Sequence, residues 1–209
     1  MTTGSSTVGI DFGAPAHTER LDRAVAALRE RGYEVHVVDD PAGARAVAGE
    51  LLPTDQGIFT ASSETLRLTG IAADIEEGDK YQSVRKQAAE FEGDFVKQLK
   101  LGAAPDVTIG SVHAVTEDGQ LVAASATGSQ LASYAAGAMR TILVVGSQKI
   151  VPDLDAALRR VREHCLPLES QRVQEAAGQG SFIGKILIFE REAIPNRTAI
   201  ILIREPIGF

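Results

Sequence analysis

Cysteine occurs once in the 209 residues, at Cys165, and tryptophan does not occur at all. One thiol excludes an intramolecular disulfide, and it excludes a cysteine-ligated iron–sulfur cluster built by this chain alone. A reducing, cytoplasmic compartment fits that usage. Aromatic residues make up 5% of the chain, so the core has to be aliphatic, drawn from Val, Ile, Leu and Ala. No run approaches ~18 uninterrupted apolar residues, so no membrane span is expected. The opening "MTTGSSTVGIDFGAP" has no basic segment and no long apolar one, and is not read as a signal peptide. Positive charge is the scarcer sign, with 21 Lys and Arg against 28 Asp and Glu and a net charge of -7. Such a chain repels phosphate backbones, which excludes nucleic acid as an expected partner unless a local basic patch exists. The nearest candidate is "RRVREH" (159–164), which carboxylates flank on the same helix; it is read as a solvated face.

What is present is ordinary for a globular protein: 44% hydrophobic and 23% charged residues. The length suffices for a core without staples. Residues 1–15 read as a flexible lead-in, and 16–209 as a single α/β domain. Leu21, Val25 and Leu28 share one helical face, and Gly32 stops that helix. "YEVHVV" (33–38) is a strand, residues 39–53 hold a short helix with Ala44, Val47, Ala48 and Leu51 inward, and "GIFTAS" (57–62) is the next strand. This order predicts a right-handed crossover joining a parallel pair. Residues 79–101 are charged and helix-compatible, with Gly93 as an interruption. "DVTIGSVHAV" and "QLVAAS" flank "EDG", which predicts a hairpin with a type I′ turn at Asp118-Gly119. A helix follows from about Gly128 to Ala138. "TILVVGS" (141–147) is apolar enough to be covered on both faces. Leu154, Ala157, Leu158, Val161 and Cys165 make the stripe of a further helix, and another covers 169–177. Strands at 185–190 and 197–206 complete the pattern. Strands alternating with helices mean α/β.

Several apparent motifs fail on their context. "GIDFGAP" (9–15) resembles the phosphate loop of sugar kinases, but that loop joins two strands and here a helix follows. "GQGSFIGKI" (178–186) resembles a P-loop, yet it lacks the spacing and leads into a strand, where a P-loop needs the free amides of a helix. No dinucleotide fingerprint opens a helix, so no cofactor is expected. His17, His36, His113 and His164 show no metal spacing, and no metal site is expected. His36 and His113 lie in strands and read as structural. Adjacent helical residues diverge by ~100°, so His164 and Cys165 are not a nucleophile–base pair. Cys165 reads as a small buried hydrophobe.

Two places retain chemical interest, each the first turn of a helix directly after a strand. One carries Ser62, Ser63 and Thr65; the other carries Ser125, Thr127, Gly128, Ser129 and Gln130. Helix starts expose unpaired amides, small residues let a ligand approach, and hydroxyls add donors. The expected ligand is a small anionic metabolite held at the carboxyl ends of the strands. Simple N-capping by the same Ser and Thr residues is the competing reading.

"GSVHAVTEDGQLVAASATGSQ", "VVGSQKIVPDLDAALRRVREHCLPLES" and "RTAIILIREPIGF" resemble, in that order, the lactate-utilisation (LUD) domain family of lactate utilisation protein C. The likeness covers roughly residues 57–209, and "SSETL" (62–66) takes part in it. It implies a three-layer α/β/α fold with a largely parallel sheet and an edge β-hairpin, similar to the sugar-phosphate isomerase and CoA-transferase superfamily. It implies a role in oxidising L-lactate to pyruvate with separate iron–sulfur subunits as partners. The chain departs from the pattern at Glu117-Asp118-Gly119, where many members have Thr-Gly, and the resemblance carries over no catalytic residue. A stand-alone enzyme or binding module for an anionic acyl or phosphorylated metabolite is the alternative. An acyl-transfer enzyme would need a glutamate nucleophile, for which Glu64 and Glu117 are the candidates beside the site. Oligomeric state stays open.

Overall fold

A computed structural model describes residues 9–209. Two helices and two strands lead in: α1 (Thr18–Glu30), β1 (Glu34–Val38), α2 (Pro41–Leu51) and β2 (Gly57–Thr60). Leu21, Val25 and Leu28 are buried on α1 as their spacing requires, joined by Ala24. Asp40 caps α2 by accepting from the Gly43 amide, and Pro41 opens that helix where its missing N–H loses nothing. Four short helices and one short strand follow: α3 (Glu64–Leu68), α4 (Ile71–Glu76), β3 (Gln82–Ser83), α5 (Val84–Ala89) and α6 (Phe95–Ala103). The helix-compatible stretch over 79–101 is thus split, with Gly93 in the gap between α5 and α6.

Strands β4 (Val107–Gly110) and β7 (Arg140–Gly146) enclose the expected hairpin, β5 (Ala114–Thr116) and β6 (Leu121–Ser125). After β8 (Ile150–Val151) one long helix runs through α7 (Leu154–Arg160), a π turn (Val161–Cys165) and α8 (Leu166–Ala177). Strands β9 (Lys185–Phe189) and β10 (Thr198–Ile203) close the order.

Six strands form a parallel sheet in the order β1-β10-β7-β4-β2-β3. Its centre is filled by the most apolar strands. On β7, Ile142 and Val144 face one way and Leu143 and Val145 the other, and all four are fully buried. On β10, Ala199, Ile201 and Ile203 alternate with Ile200 and Leu202 in the same manner. One face packs on α2, α3 and α4; the opposite face packs on α1 and on a second sheet.

The crossover expectation needs correction. β1 and β2 are parallel but not neighbours, since β1 pairs with β10 and β2 with β4. The residues of β1 are only half buried, which suits an edge, while the aliphatic β7 and β10 take the interior.

The hairpin is also placed differently from the expectation. It does not edge the parallel sheet; it is the middle of a separate four-stranded sheet, β8-β5-β6-β9. Helix α7 and Phe12 cover the outer face of that sheet. The turn is not type I′ either. The Gly119 amide donates to the Thr116 carbonyl at 2.9 Å, and the Thr116 amide to the Gln120 carbonyl at 2.9 Å. Gly119 has φ 88 while Asp118 has no positive φ. This is a three-residue loop whose last position needs the left-handed conformation. Glu117 at its tip accepts from Arg20 at 2.6 Å and Arg23 at 2.8 Å, which fastens the hairpin to α1.

Of the expected lead-in, residues 1–8 lie outside the described residues. Within 9–15, Phe12 is buried against the second sheet.

Candidate functional site

A cleft of about 390 Å³ opens beyond the carboxyl ends of β2, β4 and β6. The first wall comes from the segment after β2. There Ser63 caps α3 through the Leu66 amide at 3.3 Å, and Ser62 accepts from Arg85 at 2.9 Å. The second wall comes from the loop after β6, and the third from the long helix, through Val161, Cys165, Leu166, Glu169 and Arg172. Ser111, His113 and Lys149 form the inner surface.

Six of the eight residues expected at the site line this cleft: Ser62, Ser63, Ser125, Thr127, Ser129 and Gln130. Thr65 lies behind the wall, where its hydroxyl accepts from Lys149 Nζ at 2.9 Å. Gly128 faces the stem of Lys185, which would crowd a β-carbon at 2.9 Å, and its φ of 88 makes the turn possible. The latitude that glycine supplies thus serves the turn and the lysine packing.

Side chains and carbonyls take several of the amides at the two helix starts, those of Leu66, Gly128, Ser129 and Leu131. Ser125 Oγ accepts from Gly128 N at 2.9 Å and Thr127 Oγ1 from Ser129 N at 3.3 Å. Ser125 Oγ donates to Gln130 Oε1 at 2.9 Å, and Gln130 Nε2 donates to the Ala124 carbonyl at 3.2 Å, so the loop satisfies itself. Helix α3 has five residues, and the helix starting at Leu131 passes within two residues into a π turn (Ser133–Gly137). Helices this short add little macrodipole. Capping explains these hydroxyls, and the positive charge of the cleft comes from elsewhere.

It comes from side chains that the sequence reading passed over. At the rim, Arg67 pairs with Glu64, Arg172 with Glu169, and Arg85 with Glu76. These three pairs cancel. Lys149 does not cancel: it is 1% exposed, and its ammonium donates only to hydroxyls, Thr65 Oγ1 at 2.9 Å and Ser111 Oγ at 3.0 Å. Behind the wall Arg160 is fully buried. It donates to the carbonyls of Phe12 and His113 and lies 2.9 Å from Cys165 Sγ, while its Nε has no partner. Among the described residues, no carboxylate reaches either cation. Burial, and then the Arg160 charge, push Lys149 down to about 7. Burial also lowers Arg160, against the neighbouring thiol. Burial followed by both cations pushes His113 down to about 3, so its ring is neutral, and its Nδ1 accepts from the Ala124 amide. Burial raises the Cys165 thiol despite the two cations.

The solvated-face reading of "RRVREH" therefore fails at Arg160. The π turn from Val161 to Cys165 is the cause, because its i→i+5 spacing brings residue 165 over residue 160. An α-helix would hold residues five apart on different sides. Of the two glutamates considered as nucleophiles, Glu64 is at the cleft but held ionised, chiefly by its hydrogen bond to Arg67. Glu117 is at the far hairpin tip, held by α1. No group of three or more metal-ligating side chains occurs among the described residues.

The LUD domain model matches residues 21–204. The chain belongs to the LUD domain family. Among solved structures, this LUD domain is similar to a DUF162 family protein from Deinococcus radiodurans, with 14% identity and a TM-score of 0.53, over 91% of this chain and 99% of that one. At that identity the likeness is one of fold. Ribose 5 phosphate isomerase A from Neisseria gonorrhoeae aligns over 66% of the LUD chain and 65% of its own, with 14% identity and a TM-score of 0.36. The comparison with curated proteins gives no match. No helix among the described residues of the LUD domain is long and apolar enough to cross a membrane.

Proposed function

We propose that this LUD-domain chain takes part in the oxidation of L-lactate to pyruvate, holding a small carboxylate in the cleft while separate iron–sulfur subunits carry the electrons. Family membership supports a role connected with lactate utilisation. The observation that carries the ligand class is Lys149, a buried cation without a counter-charge on the wall of an open cleft. An entering carboxylate supplies that charge at a position already stripped of water, where electrostatics are strong. Ser62, Ser63, Ser125, Thr127, Ser129 and Gln130 shape the opposite walls, with Thr65 and Gly128 holding them from behind. Oxidation of lactate releases two electrons, and one cysteine cannot ligate a cluster to receive them, which supports a division of labour with other chains. In this reading residues 16–209 act as one domain in a reducing cytoplasmic compartment.

The test has two parts. Lysate of a deletion strain is expected to lose L-lactate oxidation, and the wild-type gene to restore it; unchanged oxidation overturns the role. Calorimetry with the purified chain is expected to show binding of lactate and pyruvate, weakened by Lys149→Met.

A second reading is a stand-alone enzyme or binding module for an anionic acyl or phosphorylated metabolite. The observation favouring it is that Lys149 lies on the cleft wall against two hydroxyls and no carboxylate among the described residues, with burial pushing it down to about 7. Tighter binding of phosphate esters than of lactate selects this reading.

A further inference from the structure

We propose that Lys149 is a nucleophile that captures the carbonyl carbon of a small anionic oxo acid as an imine within the cleft. This deepens the small-carboxylate reading of the cleft and rests on it. An amine reacts when it is neutral, reachable and not held by an acid. The Lys149 side chain lies on the cleft wall, and its partners are the hydroxyls of Thr65 and Ser111, neither of which holds a proton on it as a carboxylate would. An ammonium has three donors, and these two hydroxyls take two of them. Arg160 buried nearby disfavours a second positive charge, the arrangement that activates lysines beside another cation. The remaining lysines, Lys80, Lys86, Lys97, Lys100 and Lys185, are all exposed.

The chemistry balances without a redox partner. The Nζ lone pair forms a bond to the carbonyl carbon, and the carbonyl π pair moves to oxygen, which takes up the proton that nitrogen loses. The resulting hydroxyl takes the second proton of the nitrogen and departs as water as the nitrogen lone pair forms the second bond to carbon. The Ser111 and Thr65 hydroxyls touch Nζ and relay those protons, and the Arg160 guanidinium buried behind the wall favours the acid's negative charge in the cleft without touching it. Hydrolysis reverses each step, so the acid is held and released rather than consumed.

The experiment incubates the full chain with pyruvate, adds borohydride at pH values from 6 to 9, and maps the reduced adduct by peptide mass. Lys149→Arg and Lys185→Arg are treated alike, with calorimetric binding of lactate, which has no carbonyl, measured in parallel. The expected result is an adduct at Lys149 about tenfold or more above any exposed lysine near pH 7, because its neutral fraction there is so much larger. It is lost in Lys149→Arg, kept in Lys185→Arg, and rises with pH through about 7. An adduct spread evenly over the exposed lysines, or none while lactate still binds, overturns the imine and leaves the carboxylate cleft standing. No binding of lactate or pyruvate, with no adduct, overturns both. If Lys149→Arg does not fold, the peptide map of the wild-type chain decides.

Discussion

Two regions of this LUD domain bury a cation, and they treat it in opposite ways. Arg197, 5% exposed, pairs with Glu192 at 3.1 Å and donates to the carbonyls of Ala138, Ser133 and Tyr134. Glu192 is completed by the Thr198 hydroxyl at 2.7 Å and the Ile194 amide at 2.9 Å. That charge is compensated and every guanidinium nitrogen has a hydrogen-bond partner, and it ties the loop before β10 to the π turn at Ser133–Gly137. Lys149 and Arg160 have carbonyls, hydroxyls and a thiol, but among the described residues no carboxylate. A chain able to build the first arrangement is not short of ways to neutralise the second. The difference separates a compensated ion pair from two buried cations without a carboxylate partner among the described residues.

The largest effect is expected where the comparison is broken on its compensated side. Glu192→Leu strands Arg197 without a counter-charge and should destabilise the protein by about 3–5 kcal/mol in urea titration. Next comes Arg160→Met, which removes the charged hydrogen bonds to the Phe12 and His113 carbonyls; a loss of about 2 kcal/mol is expected by the same titration.

Lys149→Met should act with the opposite sign. It removes an uncompensated buried charge, and both hydroxyls keep carbonyl acceptors, Ile207 for Thr65 and Val144 for Ser111. A gain on the order of 1 kcal/mol at pH 6 is expected, alongside weaker carboxylate binding. The sign with pH follows from linkage. The folded value lies near 7 and the unfolded one near ~10.4, so the unfolded state binds more protons between them. Wild-type stability therefore rises with pH over that window, and the advantage of Lys149→Met should fade from pH 7 to 10 in thermal melts. A variant that destabilises at every pH sinks the distinction between the two regions.

The effect confined to acid belongs to His113. Its folded value near 3 lies below the ordinary ~6.5, so the unfolded chain takes up the proton first and stability falls as pH drops across that interval. His113→Asn should flatten that part of the acid melt.

The helical stripe of α1 and the apolar β7 were legible in the sequence because local periodicity and composition dictate them. Strand order was not, because the pairing of β1 with β10 depends on which strands are apolar enough for the interior, a competition across the whole chain. At the cleft, Ser62, Ser63 and the 125–130 loop could be located because helix starts after strands are local signals. The same signal could not tell capping from binding, and capping takes the amides of Leu66, Gly128 and Ser129. Lys149 and Arg160 were missed for one reason: cations are ordinarily exposed, and only tertiary packing, with a π turn in the case of Arg160, hides them. The weak hint for Lys149 was its place between "VVGSQ" and "IVP", apolar on both sides.

The position of β1 has a consequence for synthesis on the ribosome. Among the described residues its one sheet neighbour is β10, some 160 residues further along by their registered pairs, such as Val35 with Ile200. The pairing edge of β1 therefore has no partner strand during synthesis until β10 has emerged, an interval in which an unpaired edge is open to chaperones and to misassociation.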